Sequence, residues 1–555
     1  MATSLFGVET EYAIAGMSGR KPLPREELVS HFVRVARKQV AHLPDTCSSS
    51  GIFLANGGRF YVDCGLHPEM ATPECTTPFE LARYIKAGER ILEGVAQAVE
   101  TEAGEDAEIM CFRCNVDYSG SGSTWGCHES YLHHANPSRL PDELISHLVT
   151  RVVYTGAGGF NPLSSGIEFC VAPRLMHIRQ EISGDSTGNR GIFHTKNEPL
   201  AGDGNSRLHI LCGESLCSET AIVLKIGATA LVTAMAEEGL RPGVGIRLAA
   251  PLDALRTVAS DVTCARKLRL AAGCELNAIE IQRRLLQLAE RNVAVLPPWA
   301  PEICALWRVT LDQIEAGPDS VATILDWAIK QRIYEGRIAR CGVARERFAF
   351  LNSIVEQLNA TLAGAGVDDR RIRLAPLLGP KSPIPKEIEV IGGLLERQGL
   401  AFDDLKRFLS LRDELWQIDT RFGQIGPRGI FTELDRRGVL DHKVAAVDDV
   451  DMAMRRPPAV GRARLRGEAI QRLSGLKGAK CNWSAVYGAD GRVLDLSDPF
   501  AASEVWIDPN APPDADQLPL EMQLDETGDP GRFRQMIEAI RGRRARTQAR
   551  DQSPF

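Results

Sequence analysis

The sequence predicts an α+β fold, and three patterns carry that prediction. Short runs alternate polar and apolar residues at period two, as half-buried strands do. Longer segments between them space their apolar residues for helices. One segment, Ser215 to Glu238, is apolar almost all round through Ile222, Leu224, Ile226, Leu231 and Met235. A helix of that kind belongs in the middle of a packed molecule.

In chain order the predicted strands are Leu5 to Ala15, Arg59 to Cys64, Glu108 to Val116 and Arg207 to Cys212. Helices are predicted at Glu26 to Leu43 and Phe79 to Glu100, and mostly helical text runs from Ile246 to about Leu362. The proline-rich stretch Ala375 to Pro385 reads as a loop or insertion, after which helical text resumes from Lys386 to Asp419. Near the end, a helix at Gly467 to Leu473 precedes a hairpin around Ala489-Asp490-Gly491. The expected organisation is one large catalytic domain over residues 1–435 with an insertion at about 363–415. A small C-terminal domain over 436–510 and a charged tail over 511–555 complete it. That tail turns from acidic to arginine-rich, with seven arginines in 531–555.

Composition narrows the class. The chain has 555 residues, 44% of them hydrophobic, and a net charge of −7. That balance offers no global field for nucleic acid, so none is expected as a partner. The most apolar stretch, Ala221 to Ala236, is interrupted by Lys225 and is too short for a bilayer, so no membrane association is expected. The first sixteen residues lack a basic n-region. Fourteen cysteines without framework spacing read as reduced thiols, and the expected compartment is cytoplasmic. Cys111 and Cys114 form the one close pair, which strand packing explains better than zinc.

The chemistry lies in the placement of carboxylates. Glu9 and Glu11 interrupt an apolar strand at period two, so both leave on one face. Arg59, Tyr61 and Asp63 alternate with Phe60 and Val62 in the same way, and Glu69 and Glu74 follow within a few residues. If the two strands share a sheet, four or five carboxylates crowd one face, where like charges repel strongly. Hard divalent cations with oxygen ligands relieve that crowding, and Mg²⁺ binds characteristically through a few carboxylates and substrate phosphates. Glu11 enters the expected metal set on this ground. Residues Gly120 to Gly126, rich in glycine and serine, precede His128 and would bring backbone close to a phosphate. Arg207 and His209 share one face of another strand. There is no Walker A sequence, no dinucleotide Gly-x-Gly-x-x-Gly turn and no Gly-x-Ser-x-Gly elbow. Adjacent residues on a strand point to opposite faces, so Cys127 and His128 are not expected to form a dyad.

The ordered motifs resemble the Pup ligase and depupylase family. They include Gly7-Val-Glu-Thr-Glu-Tyr12, Asn56-Gly-Gly-Arg-Phe-Tyr-Val-Asp63, His67-Pro-Glu-Met-Ala-Thr-Pro-Glu-Cys75 and Gly126-Cys-His-Glu-Ser-Tyr-Leu132. Arg207-Leu-His-Ile-Leu-Cys-Gly-Glu-Ser215, Asp326-Trp-Ala-Ile-Lys330, Arg428-Gly-Ile-Phe431, Leu465-Arg-Gly-Glu468 and Asp498-Pro-Phe500 continue the series. The resemblance implies a glutamine synthetase-like antiparallel sheet cradling ATP, with packed helices and a small C-terminal domain. It implies Mg²⁺ contacts at Glu9, Tyr61 and Glu69, ATP contacts at Arg59, Thr72 and Trp483, and a catalytic base at Asp63. The implied reaction joins the side-chain carboxylate of the C-terminal glutamate of a Pup-like modifier to lysines of target proteins. It passes through a γ-glutamyl phosphate and feeds a proteasomal pathway. Arg207, with His209 beside it, is the candidate for gripping the glutamate or the phosphoryl oxygens.

Within that family the ligase is favoured over the depupylase. Asp63-Cys-Gly-Leu-His-Pro68 follows the ligase form, and the segment from Tyr12 to Asn56 has no room for the long depupylase loop. Departures fall at the substrate end: Ser130, Lys196, Asn197, Glu214 and Leu216 replace the family's asparagine, arginine, aspartate, aspartate and asparagine. A ligase of small molecules and a binding module without catalysis are the alternatives from other classes. The acid cluster, intact in sequence, argues against the second.

Overall fold

Residues 4–63, 65–185, 188–195, 200–202, 204–367 and 372–509 are described by the computed structural model. The strand Phe6–Glu11 alternates as its sequence does: Phe6, Val8 and Thr10 are buried while Gly7, Glu9 and Glu11 are half-buried. It lies at the middle of a nine-stranded sheet. On one side it pairs antiparallel with Cys127–His133, which continues through Ser206–Ile210 and Gly191–His194 to Gln180–Ser183. The last pair is the sheet's parallel one. On the other side come Pro68–Ala71, Arg59–Val62, Ile52–Leu54 and His42–Pro44, all antiparallel.

The acid-bearing strands share a sheet but do not touch. Pro68–Ala71 lies between them and sets Glu69 opposite both Glu11 and Tyr61. That strand is too short to show a period of its own. The predicted strand Leu5 to Ala15 also divides. It breaks at Tyr12, 1% exposed in a core with Leu28, Phe32 and Ile91, and Ala13–Ser18 joins a separate sheet with Lys21–Pro22 and Ala107–Phe112. The first predicted helix stops at Gln39, because Val40 turns the chain extended into the edge strand His42–Pro44.

Helices cover the sheet's other face. Pro78–Ala103 starts on Thr77, whose hydroxyl accepts from Glu80 N at 3.0 Å, with Pro78 in its first turn. Glu219–Glu237 starts on Ser218, whose hydroxyl accepts from Ala221 N at 3.2 Å. This helix is long and apolar enough to cross a membrane, yet 94% of its apolar window is buried inside the protein. It is a core helix, and it packs with Phe6, Val8, Leu208 and Ile210 in one cluster.

That covered face holds a buried charge pair. Glu129 is fully buried, and its two oxygens accept from Arg151 at 2.6 and 2.8 Å. The Tyr131 phenol adds a third bond at 2.6 Å. Burial pushes the Glu129 carboxyl up, but Arg151 and Lys225 outweigh burial and hold it low.

The helices Phe348–Gly364, Pro385–Arg397 and Phe402–Phe422 form a second core around Leu351, Val355, Ile391, Leu405 and Phe408, which Tyr118, Phe160 and Tyr334 also join. The proline-rich segment holds the short helix Leu374–Leu377 and supplies the first residue of the helix from Pro385. Further on, the helix Gly461–Leu473 and the hairpin Ala485–Tyr487/Val493–Asp495 share a cluster with Leu43, Phe53 and Ala55 of the sheet's edge. The helix comes close because Gly57 and Gly467 lack side chains. A Cβ on Gly57, at φ +85°, would stand 2.9 Å from Ala463 O, and one on Gly467 2.7 Å from Ala55 O. Met1–Trp506 forms one compact unit, and Ile507–Phe555 a second, of which residues 507–509 are described. The predicted tail 511–555 lies outside the described residues.

Removing one partner of the buried pair leaves the other charge unpaired. Arg151→Met should therefore cost about 3–5 kcal/mol of stability, read as a shift in urea denaturation. A change under about 1 kcal/mol would show that the pair is not what fixes the helices to the sheet.

Candidate active site

The register carries Glu9, Glu11, Arg59, Tyr61, Glu69, His128, Arg207 and His209 to one face. Arg59 and Glu9 flank Ala71 on adjoining strands, and His128 stands opposite Glu9. One row further, Tyr61, Glu69 and Glu11 line up. His209 is opposite Ser130, and Arg207, two residues before it on the same face, donates from Nε to Ser130 Oγ at 3.1 Å. Ligand atoms of Glu9, His128 and His209 come within 4.8 Å of one another, as do those of Glu11, Glu69 and His128. Glu11, Asp63 and His67 form a third such group.

The acids are not in equal states. Burial pushes Glu9 up, but the His128 hydrogen bond and then the Arg207 charge hold it down at about 2. Burial likewise opposes the charge of Glu11, and His67, His128 and the Gly126 N–H bring it to about 2. Glu69, 4% exposed, goes the other way: burial first, then the charges of Glu9 and Glu11, push it well above the usual carboxylate range. The Tyr61 phenol is raised by burial, Glu9 and Glu69, and so stays neutral. A third carboxylate forced toward its protonated form is the mark of an oxygen-donor set short of positive charge. Mg²⁺, a hard ion that takes carboxylate oxygens, fits that set.

His209 is 7% exposed, and neither ring nitrogen has a hydrogen-bond partner among the described residues. Burial and Arg207 push it down to about 2, so it is a neutral imidazole. Asp63 sits in a tight turn after its strand: Oδ1 accepts from His67 N at 2.7 Å, and Oδ2 lies 3.2 Å from His67 Nδ1. His67 also reaches Glu11 Oε2 at 3.5 Å. Burial lowers the His67 imidazole, but Asp63 and Glu11 raise it to about 9.

At the far edge, Arg59 stacks 4.0 Å over the Tyr61 ring and donates from Nε to Asp45 at 2.7 Å. Phe53 stands between Arg59, 5.7 Å away, and Trp483, edge-on at 5.0 Å. Residues 424 positions apart thus meet at one end of the face. Thr72 Oγ1 accepts from Val8 N at 3.1 Å.

Glu74 leaves the expected acid cluster. It pairs with Arg466 and, at 2.6 Å, with Arg462 of the C-terminal helix, and these arginines overcome burial to hold it at about 2. His67, Asp45, Arg174 and Arg190 are the polar groups that the sequence reading left without a role. The i, i+4 spacing of Asp63 and His67 was the one available signal; a buried arginine in a turn leaves none. Lys196 and Asn197 lie outside the described residues.

Fold and site together define an α+β protein with a carboxylate-lined sheet face, the ligase-like class that the motifs imply. A family model described as Pup-ligase protein matches residues 4–354 and 388–487. A Pup–protein ligase of Geodermatophilus obscurus is 32% identical over 484 residues, covering 85% of this chain and 90% of its own. A crystal structure of the complex between the prokaryotic ubiquitin-like protein Pup and its ligase PafA aligns at a TM-score of 0.67 and 25% identity, covering 90% of each chain. The Pup ligase PafA in complex with ADP aligns at 0.61 and 25%, covering 86% of this chain and 92% of its own. The chain belongs to the Pup-ligase family.

The raised His67 imidazole makes a pH prediction for the metal-free protein. Its contribution to stability is complete below its ordinary value of 6.5 and disappears as pH rises through about 9. Thermal melts in EDTA should therefore fall between pH 7 and 10, and His67→Gln should flatten that fall. An unchanged slope in the variant would rule out the Asp63–His67–Glu11 coupling as its source.

Proposed function

We propose that this chain is an ATP- and Mg²⁺-dependent ligase. It joins the side-chain carboxylate of the C-terminal glutamate of a Pup-like modifier to a lysine amine of target proteins. The observation that carries this reading is the single face bearing Glu9, Glu11, Glu69 and Asp63 between Arg59 at one side and Arg207 at the other.

Glu9, Glu11, Tyr61 and Glu69 would hold Mg²⁺, which supplies charge neutralisation at the phosphates when bound. Arg59, Thr72, Trp483 and His128 would hold the nucleotide. Arg59 and Trp483 offer a cation and an aromatic edge on either side of Phe53, and His128 stands over the acids at 3.8 Å from both Glu9 and Glu11. Arg207 and His209 would orient the glutamate. Its carboxylate oxygen attacks the γ-phosphorus, ADP departs, and an acyl phosphate forms. The lysine amine then attacks the acyl carbon, its proton passes to Asp63, and inorganic phosphate leaves as the isopeptide bond forms. Both oxygens of Asp63 already accept hydrogen bonds, so its role depends on placement more than on basicity. The catalytic face falls in the large domain, residues 1–435, with residues 436–510 as the small C-terminal domain, and the product enters a proteasomal degradation route in the cytoplasm.

Incubation with Mg²⁺-ATP, a modifier ending in Gly-Gly-Glu and a lysine-bearing protein should yield conjugate by mass with stoichiometric ADP. A modifier ending in glutamine that is only deamidated, without matching ATP loss, would make the chain a depupylase instead. Asp63→Asn should lower the conjugation rate at least about 10²-fold while nucleotide affinity stays within about twofold. An active variant removes Asp63 from the base role.

A further inference from the structure

Two arginines stand at the Glu11 end of the face, and the reaction as described gives them no work. Arg174 is 2% exposed, on the short turn Pro173–His177. Its Nη1 donates to Leu211 O at 2.6 Å and Gly213 O at 3.2 Å, which fixes the guanidinium beyond the end of the Ser206–Ile210 strand. Its Nε has no hydrogen-bond partner among the described residues. Its Nη2 faces Gly126, where an added Cβ would stand 3.1 Å away and would also press on His128 Nε2. Arg190 reaches the same loop, donating to Thr124 Oγ1 at 2.5 Å.

These cations are close enough to disturb each other. Burial and then Arg174 lower Arg190, with Glu11 and Asp185 offsetting part of the effect. Burial, Arg190 and Arg174 push His177 down to about 4, which leaves it neutral. Glu11 does not satisfy Arg174, since its Oε2 already accepts from Gly126 N at 2.8 Å and faces His67. A buried guanidinium donor without an acceptor costs free energy until an anion arrives.

We infer that Arg174 and Arg190 receive the main-chain carboxylate of the modifier's terminal glutamate. The inference rests on the ligase reading above. A C-terminal glutamate carries two carboxylates, and one of them distinguishes it from every internal glutamate. Arg207, beside Glu9, addresses the reacting group, and Arg174, beside Glu11, addresses the other. The planar guanidinium matches a carboxylate in two bonds. The pair therefore selects a chain terminus, and it makes and breaks no bond.

The test uses the full chain with Mg²⁺-ATP, a lysine-bearing protein and two synthetic peptides ending in Gly-Gly-Glu. One carries a free main-chain carboxylate and the other a carboxamide; the side-chain carboxylate is the same in both. The carboxamide peptide should be about 10- to 100-fold worse in kcat/KM, with most of the loss in KM. Arg190→Gln, which spares the carbonyl bonds of Arg174, should shrink that ratio at least threefold or so with nucleotide affinity unchanged. Fluorescence anisotropy of labelled peptides in the presence of a non-hydrolysable ATP analogue reads the same ratio without turnover. Equal use of acid and amide by the unaltered protein overturns the inference and leaves the ligase reading standing. A full ratio retained in both Arg190→Gln and Arg174→Gln overturns it as well. Conjugation of neither peptide brings down the ligase reading, and the inference with it.

Discussion

Glu9, Glu11 and Glu69 stand on two neighbouring strands of one sheet face, and their mutual repulsion governs the rest of the site. Carboxylates about 5 Å apart repel by roughly 3 kcal/mol at the effective dielectric of a half-buried site. The sheet cannot escape by slipping. A shift of one residue would carry the acids into the core and Phe6, Val8 and Thr10 out of it. The apolar face thus fixes the register, and the register fixes the crowding. Packing against the helices Pro78–Ala103 and Glu219–Glu237 maintains an arrangement that the acids alone would oppose.

The protein treats its buried acids in two ways, and the contrast marks which of them act on ligands. Glu129 and Glu74 are paired by arginines held in place by other bonds: Arg151 also donates to Thr229 at 2.6 Å, and Arg466 to Gly57 O at 2.9 Å. These ions are internally satisfied and join elements together. Glu9 and Glu11 have histidines at 3.5 to 3.8 Å instead, and Glu69 is driven toward protonation. A set left short of positive charge by its own chain is a set shaped for charge from outside.

Much of this was legible in the sequence, because period two is a local property. Glu9 with Glu11, Arg59 with Tyr61, and Arg207 with His209 each share a face by spacing alone. The strand between the acids was not legible: Pro68–Ala71 has four buried residues and no alternation to read. Nor was the departure of Glu74, which depends on arginines nearly four hundred residues away. The break at Tyr12 and the exit of the chain into a second sheet depend on where helix Arg25–Gln39 packs. Arg174 left no trace, because a lone arginine in a turn reads as a surface residue until burial is known.

The C-terminal segment is part of the same electrostatic arrangement. Arg466 is fully buried, donates to Gly57 O and to Glu74, and lies 4.7 Å over the Trp483 ring. Trp483 meets Phe53, and Phe53 stands opposite Arg59 in the register. One arginine therefore ties the turn before Arg59, the acid after Thr72 and the aromatic at the edge into a single network. If the helix Gly461–Leu473 detached, Glu74 would be left as an unpaired acid next to a face already overloaded with them. The sheet's charge thus holds the C-terminal segment in place, and that segment completes the Arg59 end of the face.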